Sequence, residues 1–200
     1  MGNNLLSAPT GNNDWNTPEK YLQMARDVMG DIDCDPASSD FAQKTVNAKQ
    51  YFTLETNGFA HDWNGSVWLN PPYSFPAIEG FASKLIREID KGNVTEAIAL
   101  TNSSTDTKWF HMLLNYCTYV CFKSGRIAFL DSTGKTRGKG AHGSVFFYFG
   151  CRGLNFKRVF GKEGIILYRG VSRTAWDFKY EIGWDIDETD IESSTTTTAS

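Results

Sequence analysis

The sequence predicts an α/β fold, a Rossmann-like three-layer sandwich built on a mixed, mostly parallel sheet. Three observations lead there. Apolar runs of strand length alternate with segments of helical period through the middle of the chain. The later runs "TYVCFKSG", "RIAFLD" and "SVFFYFG" carry no helix between them, so the sheet begins parallel and gains antiparallel members late. Two hundred residues, 40% hydrophobic and 14% aromatic, suffice for one core of this kind.

The elements follow in order. "NTPEKYLQMARDVMG" reads as a helix with Thr17 as N-cap, Pro18 in its first position, Tyr21, Leu22, Ala25, Val28 and Met29 on one face, and Gly30 as terminator. "DIDCDPASS" reads as a short strand running into a turn. "FAQKTVNAKQYF" reads as a short helix entering a strand at Tyr51 to Leu54, and "SVWLN" as the next strand after the loop "ETNGFAHDWNG". Only 35 positions separate Asp35 from Asn70, too few for a full strand-helix-strand-helix-strand passage, so one helix is expected to be short or missing. "FPAIEGFASKLIREIDKG" is an amphipathic helix with Ile78, Phe81, Ala82, Leu85, Ile86 and Ile89 on one side. "VTEAIALTNSS" follows as a buried strand and "DTKWFHMLLNY" as a helix; "SVFFYFG" is the strongest strand in the chain.

Charge divides the chain unevenly. Asp185, Asp187, Glu188, Asp190 and Glu192 lie in the basic-free end "WDIDETDIESSTTTTAS", leaving 18 acids against 20 bases before it. The expected partition is a flexible N-terminus at 1–13, one globular domain at 14–183, and an acidic, Thr/Ser-rich disordered tail at 184–200. No apolar run approaches the ~20 residues of a membrane span, and the polar start lacks the marks of a signal peptide, so a cytoplasmic protein is expected. Leu6 stands where an N-myristoylation motif requires Ser or Thr. Cys34, Cys117, Cys121 and Cys151 show no CxxC spacing and are expected to be small buried hydrophobes; Cys117 and Cys121, four apart, suit one helical face. His61, His111 and His142 are too scattered for a metal site, and none is expected.

"NPPY", at Asn70, Pro71, Pro72 and Tyr73, stands at the end of an apolar strand and ahead of a long helix. Each proline fixes φ and removes a donor, so the motif is a rigid corner where open α/β sheets place their sites. An exocyclic amine conjugated to a heteroaromatic ring is a poor nucleophile because its lone pair is spread into the ring. Two acceptors, the Asn70 side-chain oxygen and the Pro71 carbonyl, suit the two amine hydrogens and would localise that lone pair. Tyr73 offers a face on which a flat base can stack. An ordinary proline-rich turn packed by an aromatic is the plainer reading of the same residues.

"NPPY" after a strand resembles the catalytic motif of S-adenosylmethionine-dependent amino-methyltransferases. "WNTPEKYLQMA", "DIDCDPASS", "VNAKQYFTLETNGFAHDWNGSVWLNPPYS" and "STDTKWFH" together resemble the bacteriophage family of Dam-type DNA N6-adenine methyltransferases, from about Asp14 to Gly150. The resemblance implies a compact variant of the class I methyltransferase fold. It also implies methyl transfer from S-adenosylmethionine to N6 of an adenine flipped out of double-stranded DNA, in the cytoplasm of a bacterial host cell. A monomer is compatible with the sequence, and no membrane or metal is called for.

Roles follow from the resemblance and can be checked by residue chemistry. Thr17 and Pro18 open a helix whose N–H groups suit the cofactor's carboxylate. Asp35 suits its ammonium group, with Pro36 and Ala37 shaping the turn, although "DPASS" has no glycine where the general first motif is glycine-rich. Glu55, twenty residues past Asp35, has the spacing of an acid that grips ribose hydroxyls. Asp62 suits the cofactor's adenine amine, with Trp63 or Phe52 as a stacking wall. For both acids a solvated surface carboxylate is the plainer reading. For DNA, Lys135, Arg137 and Lys139 lie with His142 in the glycine-rich loop "DSTGKTRGKGAHGS", and Arg126 and the pair Lys108 and Trp109 are further candidates, Trp109 reading equally as core. Two other readings stay open: a methyltransferase acting on cytosine N4, an RNA adenine or a protein glutamine, and a non-catalytic DNA-binding module of the same fold.

Overall fold

Alternation along three central strands builds the molecule. In the computed structural model, residues 16–136, 140 and 142–169 are described, together with the backbone of 179–181. The strands are β1 (Cys34–Asp35), β2 (Gln50–Tyr51), β3 (Gly65–Leu69), β4 (Val94–Asn102), β5 (Tyr119–Lys123), β6 (Ser144–Phe149), β7 (Gly164–Tyr168) and β8 (Lys179–Glu181). They form one sheet in the order β2-β1-β3-β4-β6-β5-β7-β8. The pairings among β2, β1, β3 and β4 are parallel, and the four from β4 to β8 are antiparallel. The sheet thus begins parallel and ends antiparallel, as the sequence predicts.

Period-two side chains on β3, β4 and β6 separate two cores. Val67, Leu69, Ala97, Ala99, Val145 and Phe147 face α3 (Ala77–Asp90) and α4 (Lys108–Tyr116). Trp68, Ile98, Leu100, Phe146 and Tyr148 face α1 (Glu19–Met29) and α5 (Gly153–Phe160). Both faces of the central strands are therefore dry, which is why they read as continuous apolar runs. The short α2 (Asp40–Val46) packs beside α1, its start capped by Ser39, whose hydroxyl accepts from Ala42 N at 3.1 Å. Gly30, at φ +84°, ends α1 in a conformation that a side chain would strain.

Several expectations are corrected. Thr17 does not cap α1: Pro18 holds that position without a side-chain cap bond, because the Thr17 hydroxyl is engaged elsewhere. The second strand stops at Tyr51 rather than reaching Leu54, since Thr53 Oγ1 and Thr56 Oγ1 draw the chain into a turn. "RIAFLD" is no strand, although Ile127 and Phe129 are buried. Both edges of β6 are already taken by β4 and β5, so the segment pairs only at Leu130, with Asn16 and Thr136. Cys117 follows the end of α4 while Cys121 lies in β5, so they share no helical face, and Cys151 is exposed. The helix missing between β2 and β3 is replaced by a three-residue 3₁₀ turn, Gly58–Ala60. α5 and β7 are additions that the sequence reading leaves out. Residues 1–13 and the tail 184–200 lie outside the described residues, as do Arg137 and Lys139.

Candidate active site

From β1 the chain steps outward to β2 and returns to β3 on the other side, so β1 and β3 flank the point where strand order reverses. Open α/β sheets hold their ligands in the crevice beyond that point. Asp35 ends β1, and Asn70 follows β3 directly, which brings both into one cavity of about 230 Å³. Thr17, Ala37, Pro71, Pro72 and Tyr73 line the same cavity. Seven residues named from the sequence are thereby brought together. Pro18 and Pro36 are chain neighbours of this wall.

Asp35 forms the polar floor. It is 3% exposed, and burial pushes its carboxyl up to about 7, against hydrogen bonds from Ser38, Ala37 and Gln43 that favour the ionised form. Gln43 Nε2 donates to Asp35 Oδ2 at 3.0 Å and to Ser38 Oγ at 2.7 Å, while Gln43 Oε1 accepts from Ala48 N at 2.9 Å. This side chain thus spans the turn and fixes the acid. Ala37 N donates to Asp35 Oδ1 and Ser38 N to the Phe52 carbonyl, so an Asx-type turn does the work of a glycine-rich loop. Ala37, Ser38 and Ser39 keep that side of the cavity small, and Val46 and Leu54 give it an apolar edge.

The Asn70–Tyr73 corner is internally tied. Asn70 Nδ2 donates to Thr17 Oγ1 at 3.2 Å, and the Tyr73 hydroxyl donates to Asn70 Oδ1 at 2.8 Å. Burial also pushes the Tyr73 phenol well above its ordinary range, so the hydroxyl remains a donor at any working pH. A carbonyl oxygen carries two lone pairs, and the Tyr73 hydroxyl fixes the direction in which Oδ1 presents them.

Tyr73 also walls a second cavity, of about 500 Å³. Its inner lining includes Ile78 and Trp109, 2% and 6% exposed, and its polar groups Asn102 and Thr107 are neutral. Lys108 and Glu79 bring one charge of each sign, so the lining is balanced and suits a flat neutral ring better than a phosphate. The sequence reading names Tyr73, Lys108 and Trp109 here and misses the rest. Asn102 ends β4, and the approach of Phe75, Ile78 and Trp109 is set by the packing of α3 on α4, which no local pattern encodes.

Other candidates sort by position. Glu55 is exposed, bonded to Thr53 Oγ1 in the turn that truncates β2, and does not line the first cavity. Asp62 pairs with Lys91 at 3.4 Å, its side chain 67% exposed, away from that cavity. Trp63 is fully buried with its Nε1 donating to Gly58 O, Phe52 stacks on His61, and neither lines the first cavity. Arg126 lies at the carboxyl edge of the sheet: a Cβ on Gly143 would sit 2.6 Å from Ser103 Oγ and 3.2 Å from Arg126 Nη1, a closeness only glycine allows. Lys135 is exposed on the turn whose partner Leu130 bridges to Asn16 at the first cavity. Of Lys108, Arg126 and Lys135, Lys108 alone lines one of the two cavities, Arg126 comes near Ser103 beside the Asn102 and Ser104 of that lining, and Lys135 stands on the turn tied through Leu130 to Asn16. Among the described residues no cluster of His, Cys, Asp and Glu is set to hold a metal, and no helix is long and apolar enough to cross a membrane.

The family described as DNA N-6-adenine-methyltransferase (Dam) matches residues 7–160. A protein of Escherichia phage T1 named DNA N-6-adenine-methyltransferase is 28% identical over 151 residues, 66% of this chain and 60% of that protein. One of the same name from Haemophilus phage HP1 (strain HP1c1) is 31% identical over 121 residues, 59% of this chain and 66% of its own length. The matched region thus covers a little under two thirds of each relative. No solved structure matches the chain significantly. With Asn70 to Tyr73 at the strand end and a match spanning most of the described fold, the chain belongs to the DNA N-6-adenine-methyltransferase (Dam) family.

Proposed function

We propose that this protein methylates the exocyclic N6 amine of adenine in double-stranded DNA, using S-adenosylmethionine as donor. The observation that carries the reading is the Asn70–Tyr73 corner lining a cavity with an acid floor, with Tyr73 at its end also walling a second, aromatic-sided cavity.

The first cavity fits the donor by its own chemistry. Asp35 offers a carboxylate to an ammonium group, the N–H groups opening α1 beside Thr17 and Pro18 suit a carboxylate, and Val46 with Leu54 offers an apolar edge to a ring. When bound, S-adenosylmethionine supplies an electrophilic methyl group on a sulfonium. Its like charge repels a cation but not Asp35, whose carboxyl ionises most readily beside a positive ligand.

The chain's own contribution is to prepare the amine. Asn70 Oδ1 and the Pro71 carbonyl accept its two hydrogens, which draws the nitrogen lone pair out of conjugation. Thr17 and Tyr73 hold the Asn70 amide from both ends, so little reorganisation accompanies the step. The second cavity receives the base, with Tyr73 against its face, after extrusion from the stack. Lys108, Arg126 and Lys135 follow the phosphates around that point, without reading sequence.

Nucleoside analysis of DNA incubated with the enzyme and S-adenosylmethionine tests the assignment. N6-methyladenine is the expected product. N4-methylcytosine alone, or methylation of RNA or glutamine in preference to DNA, would replace adenine by another planar amine. DNA binding with no heat of S-adenosylmethionine binding would leave only a binding module.

A further inference from the structure

Phe75 is the most exposed aromatic ring among the described residues, at 77%. It stands two positions beyond Tyr73 and lines the mouth of the second cavity. The segment that presents it is firmly held: Ile78 N donates to Ser74 O and Gly80 N to Pro76 O, both at 3.1 Å, which joins the turn to the first turn of α3. Prolines 71, 72 and 76 restrict the backbone on either side. An apolar ring fixed in water on a rigid turn is a cost to the free protein, and a bound partner that covers it removes the cost.

Position decides which partner. Tyr73, Ile78 and Trp109 already supply the inner lining of the cavity, each poorly exposed, whereas Phe75 projects outward from its rim. A base leaving its stack for that cavity passes this rim, and the duplex it leaves lies directly outside. Apolar side chains that project at such places enter base steps and take up the stacking that an extruded base gives up. Lys108 at the same mouth supplies a cation for the adjoining phosphate.

We propose that Phe75 is a wedge that enters the base stack of duplex DNA and fills the gap left by the extruded adenine. This rests on the methyltransferase reading above. Phe75 has no part in the Asn70 bonds to Thr17 and Tyr73 and does not line the acid-floored cavity, so its work is to make extrusion easier rather than to activate the amine.

The test compares wild type, Phe75→Ala and Phe75→Trp on two duplexes: one with a methylatable adenine paired, the other with the same adenine opposite an abasic site. Phe75→Ala is expected to slow methylation of the paired duplex by about tenfold and that of the abasic duplex by less than about twofold, because the latter adenine needs no help in leaving. Phe75→Trp is expected to restore the paired rate. With 2-aminopurine in place of the target adenine, wild type should raise fluorescence on binding and Phe75→Ala should not. Equal slowing on both duplexes, or no slowing on the paired one, would overturn the wedge. A wild type that binds DNA but methylates neither duplex would overturn the enzyme reading instead, and the 2-aminopurine signal would still decide for or against the wedge. Thermal melting of each variant shows that the exposed site tolerates the change.

Discussion

The Tyr73 hydroxyl donates to Asn70 Oδ1 at 2.8 Å, so the ring proposed to stack on a base also holds the amide proposed to activate it. From the other side, Thr17 ties the amide nitrogen at 3.2 Å. A hydroxyl from the start of α1 and one from the corner itself therefore set the direction of a side chain that neither prolines nor strand can fix.

Removing one tie should cost little and removing the ring much more. A neutral hydrogen bond contributes about 1 kcal/mol, so Tyr73→Phe and Thr17→Val should each lower kcat about fivefold, with Thr17→Ser close to wild type. Tyr73→Ala should lose about a further tenfold through stacking. Single-turnover rates, with cofactor affinity measured alongside, check this.

Asp35 gives the site a pH dependence whose sign follows from its cause. Burial raises its carboxyl to about 7, above the unfolded value, so its contribution to stability is complete at low pH and is lost as pH rises through about 7. Asp35→Asn should therefore raise the Tm of the ligand-free protein more at pH 8 than at pH 4. Binding of a cationic donor should weaken in wild type as pH falls below about 7. Melting and calorimetry across that range read both effects.

Stability away from the site rests in part on a buried pair. Lys84 Nζ lies 2.9 Å from Glu88 Oε1, their side chains 8% and 1% exposed, and Lys84 sits over the Trp63 ring at 5.3 Å. Burial would raise the Glu88 carboxyl, but hydrogen bonds from Lys84, Asn93 and Lys91 pull it down to about 2. Its contribution is present above the ordinary carboxylate range and lost as pH falls through about 2. Glu88→Ala leaves the lysine unpaired and should cost about 3–5 kcal/mol in denaturant melts.

The exposed cations at the sheet edge should act through salt. Arg126→Ala and Lys135→Ala should each weaken DNA binding uniformly across sequences and lower the salt dependence of affinity by about one counterion. Titrations between low and moderate salt give the slope.

What the sequence made legible has a physical pattern. The corner at Asn70 and the turn at Asp35 are punctuated by proline, so the local chain announces them. The buried strands announce themselves because both faces are dry. What stayed hidden depends on contact between distant segments. Gln43 holds Asp35 across a turn, and Thr17 looks like a cap until Asn70 arrives 53 positions later to take its hydroxyl. Ile127 and Phe129 alternate like a strand but find no free strand edge. The spacing that favours Glu55 assumes a full second strand, and β2 is two residues long.

The most direct measurement is transfer of labelled methyl from S-adenosylmethionine to unmethylated duplex DNA, with wild type beside Asn70→Ala. Label should appear as N6-methyladenine with wild type and fall by about two to three orders of magnitude with the variant, while cofactor binding stays close to normal. A variant that methylates at the wild-type rate would contradict the role given to the Asn70 corner.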